Sequence, residues 1–233
     1  MATSLLFGGF TTAVAGDLPS FADEGALAAC DAETAERILF IERRLENAQP
    51  YARRWWIFWT VFYGTGVIYS FVQGAMKDEN GNRANSFVSG SKAIFGTARL
   101  MLSRHTAKQG ADPMQELQVD SAAGCEEVLS VGEDLLRRNA QESRSRYSWK
   151  RHLANVGINV VGALIVAEGY GRRKKGWTSA AVGIAVGEVF TWTKPWNGSS
   201  DLEDYERKFN GGRAPVAWNI VPTVGGLQVQ ARY

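Results

Sequence analysis

The sequence predicts a mainly α-helical fold of two approximately repeated units, each an amphipathic helix plus a Gly-rich apolar helical hairpin, with a short C-terminal β-hairpin. Three observations predict it. Apolar residues recur at helical spacing in "ETAERILFIERRLENA" (Ile38, Ile41, Leu45) and again in "CEEVLSVGEDLLRRNA" (Val128, Val131, Leu135). Each segment is followed by two apolar runs with a polar turn between them. The stretch "NAQPYARRWWIFW" from Asn47 also returns, weakly, as "NAQESRSRYSWKR" from Asn139.

The first element in chain order is "MATSLLFGGFTTAVAG". It has an apolar run of signal-peptide length, and Ala13 and Ala15 stand before Gly16 in the A-x-A pattern of a cleavage site, without a positive region ahead of them. Residues 1–15 are therefore expected to be a signal peptide. Residues 16–110 form the first helical unit. Its first arm follows Arg53 and Arg54 and is uncharged from Trp55 to Ala75. As a helix this is about 31 Å long, enough for a hydrocarbon core of about 30 Å. The turn "MKDENGNR" and the arm "ANSFVSGSKAIFGTARLML" complete the hairpin. Residues 111–124, with Pro113, are expected to be a linker.

The second unit, 125–196, repeats the order with "LANVGINVVGALIVAEGY", "GRRKKG" and "WTSAAVGIAVGEVFTW". Its β-branched "INVVGALIV" would also suit a strand, but the small residues at helical intervals favour the hairpin. Residues 197–233 are read as a polar connection, a short helix at Leu202 to Phe209 and a β-hairpin punctuated by Pro222, Gly225 and Gly226. Leu227, Val229, Ala231 and Tyr233 alternate with Gln228, Gln230 and Arg232. Over these last seven residues the chain resembles the C-terminal strand of bacterial outer-membrane β-barrel proteins, which implies an envelope address. No series of further alternating strands accompanies it, so an edge hairpin packed on the helices is expected.

Small residues mark helix-packing faces. Gly66, Ser70 and Gly74 lie four apart, as do Ser86 and Gly90, and Gly183 and Gly187, while Asn159, Ala163 and Ala167 continue the pattern. Such stripes let helix backbones approach closely. Arg53, Arg54, Trp55, Trp56, Trp59, Trp149, Arg172, Arg173, Lys174, Lys175 and Trp177 combine cations with indoles, the composition of a membrane-water boundary. The face around Trp55, Trp59 and Phe62 is expected to meet lipid or a partner subunit, and the Gly66 face another helix.

Lys92, Glu168 and Glu188 interrupt the apolar runs, and charges within spans are costly. They call for a pairing such as Lys92 with Glu188, a water-filled edge, shallow hairpins or an oligomer. Basic clusters lie at both ends of the runs, so the positive-inside rule gives no orientation. Cys30 and Cys125 are an even pair, a plausible disulfide in an exported chain.

No catalytic residues, metal site or cofactor is expected. His105 and His152 lack partners at metal-ligand spacing and are read as surface or interface side chains. Acidic pairs such as Glu133 and Asp134 are read as solvated helix faces. Walker A, G-x-S-x-G, H-E-x-x-H and C-x-x-C patterns are absent, so no enzyme is expected. With 45% apolar residues, 21% charged residues and a net charge of +2, the chain is neither disordered nor a nucleic-acid binder by charge.

The expected protein is a non-catalytic, exported cell-envelope protein, periplasmic or outer-membrane rather than cytoplasmic. Its Gly-striped hairpins would mediate membrane association and self-assembly, with lipid, other envelope proteins or copies of itself as partners. The alternatives are a subunit of an envelope transport or secretion assembly with a polar path between hairpins, and a soluble periplasmic binding protein with an apolar cleft.

Overall fold

The computed structural model describes residues 20–21, 25–103, 105–209, 211, 217–223 and 226–232, the last two spans as backbone. Residues 1–15, expected to be a signal peptide, lie outside the described residues. The fold is mainly helical.

Helix α1, Ala32–Met76, starts where the Asp31 carboxylate accepts the N–H groups of Glu33 and Thr34, both at 3.0 Å. The amphipathic segment and the first apolar arm, expected as separate helices, are one helix of 45 residues, about 68 Å long. It continues through Pro50, whose missing N–H removes one bond from a long ladder. After Lys77–Glu79 the chain returns as α2, Asn80–Leu102. Two short helices follow, α3 (Thr106–Gln109) and α4 (Asp112–Gln115), then α5 (Ala122–Arg144), capped by Ser121.

In the second half the amphipathic helix does stop. The Ser143 and Ser145 hydroxyls bond back to the carbonyls of Ala140 and Glu142, and a 3₁₀ turn at Ser145–Tyr147 separates α5 from α6, Trp149–Gly169. Gly171, at φ +65°, then turns the chain so that the Arg172 N–H reaches the Val166 carbonyl at 3.2 Å, and α7 runs Arg173–Trp192. Helix α8, Gly198–Phe209, follows. The backbone of β1, Ala217–Thr223, pairs antiparallel with β2, Gly226–Arg232.

The helices divide into a head and two hairpins. The head packs the N-terminal half of α1 against α4, α5 and α8 around Ile38, Ile41, Leu45, Val128 and Leu136. The segment expected as a linker belongs to this core, because Met114 of α4 is fully buried against Gly132 and Ile41. A disulfide joins Cys30 to Cys125 at the start of α5.

The C-terminal half of α1 pairs with α2, α6 pairs with α7, and α2 lies against both α6 and α7. The two hairpin turns share one end, where Arg172 pairs with Glu79 and Lys175 with Asn82. At the opposite end Trp55, Trp59, Leu100 and Phe190 form a second core next to the head. The hairpins therefore project from the head with both turns at the far end.

Candidate functional site between the hairpins

The two hairpins enclose a cavity of about 1470 Å³. Its walls are apolar, with Phe58, Val61, Phe62 and Tyr69 from α1 and Val182 and Val186 from α7. Its floor is polar. Helix α2 supplies Asn85, Ser89 and Lys92, α6 supplies Asn155 and Asn159, and α7 supplies Ser179.

Lys92 does not pair with Glu188. Its ammonium donates to Asn159 Oδ1 at 3.2 Å and Ser179 Oγ at 3.3 Å. The Asn159 amide donates to the Asn155 carbonyl at 2.9 Å, and the Asn155 amide donates to Glu188 Oε1 at 2.9 Å and to the Ile184 carbonyl at 3.0 Å. Glu188 Oε2 meets His152 Nδ1 at 2.7 Å, and His152 Nε2 faces the Arg146 carbonyl at 2.9 Å. The Asn159 amide also reaches Asn155 Oδ1 at 3.2 Å, so Lys92 and Glu188 belong to one relay of side-chain contacts, joined through two asparagines. Burying charge is tolerable in such a relay because each charged group has hydrogen-bond partners. One floor group is left over: Asn85 Oδ1 is buried without a partner.

Glycine makes room for this network. The amide oxygens of Asn159 and Asn155 occupy the places that Cβ atoms on Gly183 and Gly187 would take. The G-x-x-x-G of α7 therefore receives asparagine side chains rather than a bare helix backbone. In the other hairpin Gly74 faces the Phe87 ring, Gly90 faces Phe71 and Ser70, and Gly66 faces Ala93. The buried Ser86 hydroxyl accepts from Lys77 at 2.9 Å.

Sequence spacing alone passed over Gly96, covered by Tyr63, Gly162, against Val88 across the hairpins, and Gly176, against the Ala163 carbonyl. Gly176 was hidden because "GRRKKG" reads as a turn. The two asparagines could have been found from their four-residue interval, which matches that of Gly183 and Gly187.

The expected boundary residues separate into different environments. Trp55 and Trp59 do not face outward: they are 6% and 4% exposed, because both indole N–H groups donate to Thr193 Oγ1, at 3.1 and 3.3 Å, and both rings pack on Phe190. Phe62 is exposed, on the cavity wall. Arg53 pairs with Asp112 at 3.3 Å, Arg54 bonds the Pro50 carbonyl, and Trp56 lies under the Lys108 ammonium at 4.2 Å. Trp149 and Trp177 are exposed.

Arg172, Arg173, Lys174 and Lys175 surround the far turn, where Arg173 pairs with Glu168 at 3.1 Å. His105 is not a surface side chain either. Its ring is packed edge-on to Trp55, with centroids 5.4 Å apart, beside Glu142.

Among the described residues, two helices, Ala32–Met76 and Trp149–Gly169, are long and apolar enough to cross a membrane. Comparison with known protein families, with curated proteins and with solved structures finds no match to this chain.

Proposed function

We propose that the protein is a membrane protein of the cell envelope, with its two hairpins set in lipid, its disulfide-tied head outside the bilayer, and self-assembly through the hairpin faces. The observation that carries this reading is the outward surface of the hairpins. Ile57 and Ile68 of α1, Ile94 of α2, Leu164 and Ile165 of α6 and Val189 of α7 are all exposed and lie outside the cavity lining, while the head buries its aliphatic side chains. An apolar surface on four neighbouring helices is expensive in water and favourable in lipid or in an assembly.

Aromatic rings bracket this surface. On α6 the exposed Trp149 and Tyr170 stand about 32 Å apart along the helix, close to a hydrocarbon core of about 30 Å. On α7 Trp177 lies near the far turn, and Trp192 lies near the head against Tyr147. Indole and phenol rings favour the two faces of a bilayer. The oxidised Cys30–Cys125 pair supports export. We also read the two hairpins, each preceded by an amphipathic segment, as descendants of a duplicated unit. The C-terminal strand pair is read as an edge hairpin.

A second reading is favoured by the relay from Ser179 through Lys92, Asn159, Asn155 and Glu188 to His152. In it, the chain is a subunit of a transport or secretion assembly and the polar floor is a path along the hairpins. Alkaline extraction of native membranes followed by size measurement in detergent tests the shared premise. The expected outcome is retention in the membrane and a particle well above 25.6 kDa of protein. A monomer released into the aqueous fraction would overturn both readings. Glu188→Gln then separates them, because only a working path predicts altered flux.

A further inference from the structure

A second, smaller cavity lies where the hairpins enter the head, bounded by Arg99, Ser103, His105, Glu142, Arg151 and Lys194. Three basic side chains here face one carboxylate, and that carboxylate is already engaged. Glu142 Oε1 accepts from the Thr106 N–H at 3.2 Å and its hydroxyl at 2.9 Å. Glu142 Oε2 stands 3.9 Å from both Lys194 Nζ and His105 Nδ1, beyond hydrogen-bond reach of either.

Among the described residues, neither Arg99 nor Arg151 has a carboxylate in salt-bridge range, and Arg99 lies only over the Phe190 ring, at 5.6 Å. The side chains of Lys194 and His105 are each 9% exposed, and His105 Nε2 is buried with no hydrogen-bond partner. Like charges gathered in a buried place with only one carboxylate among them are unfavourable. An anion in the cavity would supply both the missing charge and the missing acceptors.

We propose that this cavity is a binding site for a phosphoryl dianion, an inorganic phosphate or the phosphomonoester headgroup of a lipid, held by Arg99, Arg151 and Lys194. Three cations against Glu142 leave a surplus of two positive charges, which matches a dianion. Two guanidinium groups suit the several oxygens of a phosphoryl group, which they bind in bidentate fashion. The volume, about 280 Å³, falls just below the roughly 300–1,000 Å³ of ordinary organic-ligand sites, so a headgroup or free ion fits better than a larger molecule.

The site lies at the head end of the hairpins, level with the water-facing edge of the proposed bilayer. The lipid source rests on the membrane reading above, and the free-ion source does not. Burial, together with Arg151 and Arg99 and against the pull of Glu142, brings the Lys194 ammonium down to about 8. A bound anion reverses that depression, so affinity declines as pH rises past this value.

The test measures binding and thermal stabilisation of the full chain in neutral detergent. The probes are inorganic phosphate, sulfate, and micelles with or without phosphatidic acid. Stabilisation by phosphate alone identifies a free-ion site, and stabilisation only by phosphatidic acid identifies a headgroup site. Lys194→Gln and Arg151→Gln should each weaken binding about tenfold or more, the loss of one charge-assisted hydrogen bond, while Lys194→Arg retains it. Lys150→Gln, which removes the same charge from an exposed neighbour, should leave it unchanged.

Sulfate affinity, free of any titration of the ligand near neutrality, should fall above about pH 8. Absence of binding by every probe, or equal weakening by Lys150→Gln, would overturn the site. The membrane reading would still stand or fall on alkaline extraction. Helical circular dichroism checks that each variant is folded, and Arg151→Gln carries the test if Lys194→Gln is not.

Discussion

Tyr205 is 2% exposed, and its hydroxyl is shared by two charged neighbours. It donates to Glu133 Oε1 at 2.5 Å and accepts from Arg37 Nε at 2.8 Å, while Arg37 and Glu133 pair directly at 2.6 Å. Tyr205→Phe should therefore lower stability to urea by about 1–2 kcal/mol, since the ion pair survives and only the hydroxyl's bonds are lost. Burial and the bond to Glu133 hold the phenol's pKa above its ordinary value, against Arg37. The folded state thus binds this proton more tightly than the unfolded state does. The hydroxyl's contribution is full below about pH 10 and is lost as pH climbs beyond it.

His105 has the opposite sign. Burial, then the charges of Lys194, Lys108, Arg151 and Arg99, pull it down to about 4. The folded state keeps the ring neutral, so its contribution is present above about pH 6.5 and disappears as pH falls toward 4. Acid unfolding profiles of His105→Gln should accordingly be shallower than wild type by up to one proton across that interval.

The glycines of the hairpins look alike in sequence but have different neighbours. A Cβ on Gly66 would meet only the Ala93 methyl at 3.6 Å, an ordinary contact. One on Gly176 would stand 2.7 Å from the Ala163 carbonyl oxygen and 3.1 Å from the Ala167 nitrogen, both backbone atoms of the paired helix. Gly66→Ala should be neutral or stabilise by up to about 1 kcal/mol through helix propensity. Gly176→Ala should cost about 1–3 kcal/mol by prising α6 from α7. Thermal unfolding of both variants in one detergent measures the contrast.

This contrast also marks what the sequence could reveal. Periodicity located the helices and the small-residue stripes, because burial of one face leaves a local pattern. It could not reveal which glycines are irreplaceable, since that depends on the atom opposite. The amphipathic segment and the first apolar arm read as separate helices, yet α1 joins them through Pro50. Trp55 and Trp59 read as an outward anchor, but they are drawn inward by Thr193, a residue distant in the chain. The relay on the cavity floor was legible only as two isolated charges, Lys92 and Glu188, because its linking asparagines carry no charge to attract attention.

Across the whole molecule, the proposed membrane reading and the connectivity together predict an orientation that cation counting left open. The chain leaves the head along α1, returns along α2, leaves along α6 and returns along α7, so both turns lie opposite the head. If the hairpins cross a bilayer, head and turns are on different sides. The head holds the Cys30–Cys125 bond, which persists in an oxidising compartment. The turns carry Lys77, Arg83, Arg172, Arg173, Lys174 and Lys175 on short connections, where the positive-inside rule has force. Cations near the head count for less, because long domains are exported largely regardless of charge, and Arg53 is already paired with Asp112.

On the membrane reading proposed above, disulfide and turns agree, and both predict the head outside and the turns toward the cytoplasm. Single cysteines placed at the exposed Glu127 of the head and the exposed Asp78 of the first turn test this, with the native pair kept oxidised. A membrane-impermeant maleimide should label Glu127→Cys wherever it reaches the outer face of the membrane, and Asp78→Cys only after the bilayer is opened. Labelling of both positions without opening would mean the hairpins lie along the surface. The reverse pattern would place the disulfide in a reducing compartment and contradict the orientation derived from it.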